Sequence, residues 1–204
     1  MSRRLAAVVV LAAFMLLGAA ARSEAAGPLD QPGYVKAMTC SACHGASGNS
    51  RSEAVPILAG LSPAYFKKAI EDYATGKRVS AEMEPFAKQV KLLGVDEVAA
   101  FFAAQRREAT PVRADRNAVE RGWAASAECA ACHGTAGQGG QGDPSKLGPA
   151  IAGQPATYLK NQLLLFKADK RSPGDEPLTK MKAIVKAIPD GTLADLAAYY
   201  SSLR

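Results

Sequence analysis

Cys40, Cys43 and His44 in CSACHG, with Cys129, Cys132 and His133 in CAACHG, account for every cysteine and histidine of the 204-residue chain, so no thiol or imidazole is left for another task. A C-x-x-C pair can form a redox disulfide, half of a zinc site, or an attachment point for haem, and a histidine directly after the second cysteine points to the last. Covalent attachment needs two thiols spaced to reach two vinyl groups and an imidazole next in line to rise beneath the iron. C-x-x-C-H supplies all three. A thioredoxin-like pair does not call for that histidine in both copies. A four-thiolate zinc site would have to bridge the 86 positions from Cys43 to Cys129, far beyond ribbon spacing. Structural disulfides stay open if the chain is exported. Two covalently attached haem c groups are the reading that uses every residue, with His44 and His133 as proximal iron ligands.

The far side of each iron needs a second strong ligand. With both histidines proximal and the cysteines tied up as thioethers, methionine is the remaining familiar choice. Met83 and Met181 occupy equivalent positions of a repeat, each expected on a loop before a short helix. They are the candidates for ligation, with core filling as the alternative. Met38 has alanine at its counterpart, Ala127, and is expected to serve packing. An iron with six ligands exchanges electrons but offers no open position to a substrate. An electron carrier, not an enzyme, is therefore expected. A haem enzyme, such as a peroxidase or a thiosulfate-oxidising dihaem protein, would need a labile ligand at one iron, and Met83 is the place to look for it.

The repeat extends well past the motif. A shift of 89 carries Cys40 onto Cys129 and Gly33-Tyr34 onto Gly122-Trp123. VPILAG at 55–60 returns as GPAIAG at 148–153, followed at matching distances by Tyr65 and Tyr158 and by the basic pairs Lys77-Arg78 and Lys170-Arg171. MEPFAKQVKLLGVDEVAAFF aligns without a gap to MKAIVKAIPDGTLADLAAYY. The second copy carries two insertions, between His133 and Gly153 and between Arg171 and Met181, in loop-like stretches. This tandem duplication divides the chain into a first domain at 26–107, a linker at 108–117 and a second domain at 118–204. Each is small for a core made of protein alone, and haem would complete it.

The elements that must hold these residues read as helices. Ser62-Pro63 is a helix start, with Phe66, Ile70 and Tyr73 at apolar spacing until Gly76, and a counterpart runs from near Pro155 through Leu159, Leu163 and Phe166. A terminal helix is expected in each copy, from Val95 to about Arg106 and from Leu193 to about Leu203. No segment alternates as a strand would, so the fold class is all-α.

Residues 1–25 have a basic start at Arg3-Arg4, an apolar run and small residues suited to cleavage, the pattern of an export signal. This implies a periplasmic protein, with a retained membrane anchor as the alternative. Cleavage after Ala25 would lower the formal charge from +6 to +4. Without a dense basic run in the remainder, nucleic acid is excluded as a partner. Lys180, Lys182 and Lys186 around Met181 contrast with Glu82 and Glu84 around Met83, and are expected to present opposite fields to redox partners.

CSACHGASGNS, CAACHGTAGQG, the LAG and IAG segments, the two methionine segments and the endings DEVAAFFA and ADLAAYYS together resemble the class I cytochromes c. Over essentially the whole mature chain they resemble the dihaem cytochrome c4 type. The resemblance implies two tandem class I domains, each wrapped round one covalent haem, with the Gly33-Tyr34 and Gly122-Trp123 helices crossing the terminal ones. It also implies that the carbonyls of Pro56 and Pro149 accept the proximal imidazole protons. The implied function is transfer of single electrons between a donor, either a dehydrogenase or a cytochrome complex, and an acceptor such as a terminal oxidase. The haem subunit of flavocytochrome c sulfide dehydrogenase is similar in pattern, so a flavoprotein partner stays open, as does association with a membrane surface.

Overall fold

The computed structural model describes residues 27, 30–109, 114–139 and 148–204. The expected signal at 1–25, the centre of the linker at 110–113 and part of the first insertion, 140–147, lie outside the described residues.

Nine α-helices follow one another among the described residues. The first half contains α1 (Tyr34–His44), α2 (Pro63–Ala74), α3 (Met83–Leu93) and α4 (Val95–Ala104). The second half contains α5 (Arg116–Ala124), α6 (Ala127–His133), α7 (Ala156–Lys167), α8 (Thr179–Ala187) and α9 (Asp190–Ser202). A 3₁₀ turn, Glu176–Leu178, leads into α8. The described residues contain no strand, only an isolated antiparallel bridge between Arg78 and Arg171.

Local chemistry explains the starts of these helices. The Ser62 hydroxyl accepts from the Tyr65 amide at 3.3 Å and Pro63 occupies the first turn of α2, where a missing N–H costs nothing. Asp115 caps α5 through the Ala118 amide at 2.8 Å. In α2, Phe66, Ile70 and Tyr73 fall on one buried face, as the spacing requires.

Each half has its own core. In the first, α1, α2 and α3 pack round α4, which buries Val98, Phe101 and Phe102. In the second, α5 and α7 pack on α9, which buries Leu193, Leu196, Tyr199 and Tyr200. Paired aromatics mark the same place in both, with ring centroids 5.1 Å apart for Phe101–Phe102 and 4.9 Å for Tyr199–Tyr200. The crossing of α5 on α9 depends on Gly122, because a Cβ there would lie 2.1 Å from the Asp195 carbonyl oxygen.

Several expectations are corrected. Met83 opens α3 and Met181 lies in the first turn of α8, so neither sits on a loop. The helix that carries the first motif is continuous, whereas in the second copy Ala125 and Ser126 break it into α5 and α6. The terminal helix α9 begins at Asp190, three residues before the apolar stripe. Met38 does not pack: it is 53% exposed.

Candidate haem sites

The C-terminal end of α1 presents Cys40, Cys43 and His44, and α6 presents Cys129, Cys132 and His133. The imidazoles are buried while Cys43 stands exposed and the other three thiols are half-buried. His44 Nδ1 lies 2.8 Å from the Pro56 carbonyl oxygen, and His133 Nδ1 lies 2.8 Å from that of Pro149. A carbonyl can only accept, so Nδ1 carries the proton and Nε2 keeps its lone pair for a metal. Burial also lowers the pKa of both imidazoles below the usual 6.5, which keeps them neutral. Gly148 leaves room for the second ring: a Cβ there would meet His133 Cε1 at 2.4 Å.

Burial raises the Cys40 and Cys129 thiols above their ordinary value. They are poor thiolates, unlike the cysteines of a redox pair. All four cysteines are free, and among the described residues no three of His, Cys, Asp or Glu converge on a metal ion. The four-thiolate zinc arrangement is therefore not formed. Cys40 and Met83 pack against the first core, while Cys129 and Met181 pack against the second. Each half thus carries a thiol pair and an oriented imidazole at a helix end, and a thioether packed against the same core as one of the thiols.

Between the halves lies a polar cluster that sequence reasoning noted only as repeated residues. Arg78 Nη2 donates to Tyr158 Oη and to Gln162 Oε1, both at 2.8 Å. Arg171 Nη1 donates to the same Gln162 oxygen at 2.8 Å, and Arg171 Nη2 donates to Tyr65 Oη at 3.0 Å. The pairing is reciprocal, each arginine reaching the tyrosine of the other copy. Burial raises the Tyr65 hydroxyl, but the charges of Arg171 and Arg78 outweigh it and hold the group at about 8. Arg107 joins the copies again, donating from Nε to the Ala59 carbonyl at 3.1 Å and from Nη1 to that of Ala152 at 3.0 Å. Gln154 completes the seam. Its amide pairs with the Ile57 N–H and C=O, both at 2.8 Å.

This cluster tests the fit of a haem. Arg78, Arg107 and Arg171 make no ion pair with a carboxylate among the described residues, and Arg78 Nε and Arg107 Nη2 are buried with no hydrogen-bond partner. Buried guanidinium groups call for an anion. The carboxylates of a haem would supply that counter-charge, so the residues fit the group.

The family model for cytochrome c matches residues 119–204. Cytochrome c4 of Pseudomonas aeruginosa is 31% identical over 200 residues, covering 96% of this chain and 98% of that protein. The chain belongs to the cytochrome c4 family, the dihaem class I cytochromes c. Membership implies covalently bound haem c, two per chain in this type, and a role in electron transfer. The crystal structure of reduced cytochrome c4 from Pseudomonas stutzeri shares the fold, with a TM-score of 0.71 at 24% identity, covering 84% of this chain and 97% of that one. A protein named thiosulfate dehydrogenase electron acceptor, from Stutzerimonas stutzeri, is 33% identical over 82% of this chain and 80% of its own length.

One member of the charge contrast expected at the two methionines, Lys182, is corrected by the structure. Lys182 is buried, donating to Asp169 at 2.7 Å and to the Ser172 carbonyl at 2.6 Å, and so presents no charge to a partner. Glu84 pairs with Lys88 on α3 at 2.6 Å. Lys180 and Lys186 remain exposed.

Proposed function

We propose that this cytochrome is a periplasmic carrier that passes single electrons from a donor complex to an acceptor such as a terminal oxidase. In this reading His44 and Met83 hold one iron, and His133 and Met181 the other. Cys40 with Cys43, and Cys129 with Cys132, form the thioethers. A bound haem supplies an iron that alternates between ferric and ferrous, gaining or losing one electron.

The protein's share of the work is holding and tuning. Pro56 and Pro149 fix the imidazole tautomer and hold the ring orientation, so that each ring would offer Nε2 to a bound iron. Met83 and Met181 favour the ferrous state, as thioether ligands do relative to a second imidazole. The cores round Phe101–Phe102 and Tyr199–Tyr200 back Cys40 and Met83 in one half and Cys129 and Met181 in the other with apolar side chains. No helix among the described residues is long and apolar enough to cross a membrane.

The observation that carries the proposal is the reciprocal Arg78–Tyr158 and Arg171–Tyr65 pairing, which joins the two halves through part-buried hydrogen bonds. Such a joint favours electron exchange within one chain. A second reading, in which the donor is a dehydrogenase that hands electrons directly to this chain, draws support from the relative named as a thiosulfate dehydrogenase electron acceptor.

Gentle purification from the periplasm, with haem absorbance and flavin fluorescence followed on a sizing column, tests both. A haem peak without flavin, at the mass of one chain or a simple dimer, supports the free carrier. Stable coelution with a dehydrogenase supports the second reading, and flavin in that peak would make the partner a flavoprotein. Absence of haem from the purified chain would sink both.

A further inference from the structure

The two copies differ at three positions that meet in space. Asp169 stands where the first copy has Gly76, Ser172 where it has Val79, and Lys182 where it has Glu84. Gly76 adopts φ +74, a backbone conformation natural to glycine, and Asp169 adopts φ +53 at the same place with a side chain attached. Ser172 also has positive φ, at +48. Side chains held in this conformation are retained where surrounding contacts fix them.

The contacts that fix these residues form one chain of bonds. Lys182, 7% exposed and next to Met181, donates to the Asp169 carboxylate at 2.7 Å and to the Ser172 carbonyl at 2.6 Å. Ser172, 1% exposed, donates through its amide to the Lys77 carbonyl at 2.6 Å and through its hydroxyl to Asp72 Oδ2 at 2.9 Å. Asp72 and Lys77 belong to the first half. Lys68, also of the first half, bridges Asp72 and Asp175 at 2.6 Å each, and so closes the strap from the other end. Among the described residues nothing comparable runs from Met83, whose neighbour Glu84 pairs with Lys88 on its own helix.

We propose that Lys182 is a positioning residue for Met181. Through Ser172 it anchors the sulfur ligand of the second haem to the first half, so that contact between the halves determines how firmly the second iron is closed. This rests on Met181 being the ligand. The first iron has no such dependence, and the two sites therefore respond differently when the interface is disturbed.

The full-length haem-loaded protein serves for the test. In the ferrous state, iron-bound methionine methyls give separate proton NMR signals, and Met181→His identifies the one from the second half. In the ferric state, added imidazole can enter only when the iron–sulfur bond opens, so its binding rate reports opening at each haem. Lys182→Gln and Asp72→Asn, the latter in the opposite half, should each raise the rate at the second haem about tenfold, the effect of losing one charge-assisted hydrogen bond. The rate at the first haem should stay unchanged. Lys182→Arg, which keeps the charge, should stay within about threefold of the parent.

Equal acceleration at both haems, or none at the second in either variant, would overturn the proposal. A parent protein whose methionine signals survive Met181→His intact would instead remove the ligand assignment on which the proposal stands. The two failures are thus distinguishable.

Discussion

Arg171 of the second copy donates a 3.0 Å hydrogen bond to Tyr65 of the first, and its repeat counterpart Arg78 donates a 2.8 Å bond to Tyr158 of the second. Because each of these bonds crosses from one copy to the other, they tie the duplicated chain into one body. They predict energetic coupling over a long sequence separation. In a double-mutant cycle on the haem-loaded protein, Tyr65→Phe and Arg171→Gln should show a coupling of about 1 to 2 kcal/mol, the scale of a buried hydrogen bond to a charged group. Denaturant midpoints of the parent, both single variants and the double variant provide the measurement. Additivity within about 0.3 kcal/mol would mean that the bond does not hold the halves together.

The thioether ligands can be tested one at a time. Replacing Met83 with histidine puts an imidazole where sulfur had favoured the ferrous state, so the potential of the first haem should fall by roughly 0.1 V or more, within the range of about 0.8 V that axial ligands span. Met181→His should do the same to the second haem. Spectroelectrochemical titration resolves the two midpoints. If Met83→His left both where they were, Met83 would be a packing residue, as its contact with the first core would also allow.

Much of this architecture was legible because haem attachment and helix burial both impose spacing. Cys40, Cys43 and His44 can be named from sequence since the thiols and the imidazole must fall at fixed offsets. The duplication also made Tyr65 and Tyr158, with Arg78 and Arg171, visible as repeated positions. What these side chains bond to was not legible, because a repeat shows equivalence and not the rigid-body placement of one copy on the other. Gln154 and Arg107 passed unnoticed for the same reason: their partners are backbone groups of Ile57, Ala59 and Ala152, which leave no sequence signal. Lys182 misled in the opposite sense. A lysine flanking a candidate ligand reads as surface charge, and only Asp169 and Ser172, which stand where the first copy has Gly76 and Val79, allow it to be buried.

Acid should weaken the protein in a defined window. His44 and His133 have folded-state pKa values below the usual 6.5, since burial disfavours the charged ring. Below that value the unfolded chain binds more protons than the folded one. The stability these imidazoles contribute is therefore fully present above about pH 6.5 and is lost as pH falls through it, by at most about 1.4 kcal/mol per pH unit for each ring. Iron at Nε2 acts in the same direction, because metal and proton compete for that nitrogen. The lowered carboxylates Glu97, Asp169 and Asp195 act below their ordinary values of 4.5, 3.8 and 3.8, so the windows are separate. Melting temperatures between pH 8 and pH 5 should be level at first and then decline. A flat profile down to pH 5 would contradict buried, neutral imidazoles.

The helix crossing that supports the second motif allows almost no additional volume. At Gly122 a Cβ would lie 2.1 Å from the Asp195 carbonyl oxygen and 2.7 Å from Tyr199 Cβ, both on α9. Neither can withdraw easily: one is helix backbone, and the other is the root of a buried ring tilted against that of Tyr200. Gly122→Ala should therefore push α5 off α9 despite alanine's better helix propensity, which is worth only about 1 kcal/mol. A net cost of about 1 to 3 kcal/mol is expected, or a melting temperature lower by roughly 5 to 20 °C if the half melts as a small domain. Gly191→Ala, at a position on α9 where a Cβ would meet nothing within 4 Å, gains propensity without overlap and should be neutral or slightly stabilising. Thermal denaturation of both haem-loaded variants decides the matter, and equal melting temperatures would show that α5 and α9 can separate at little cost.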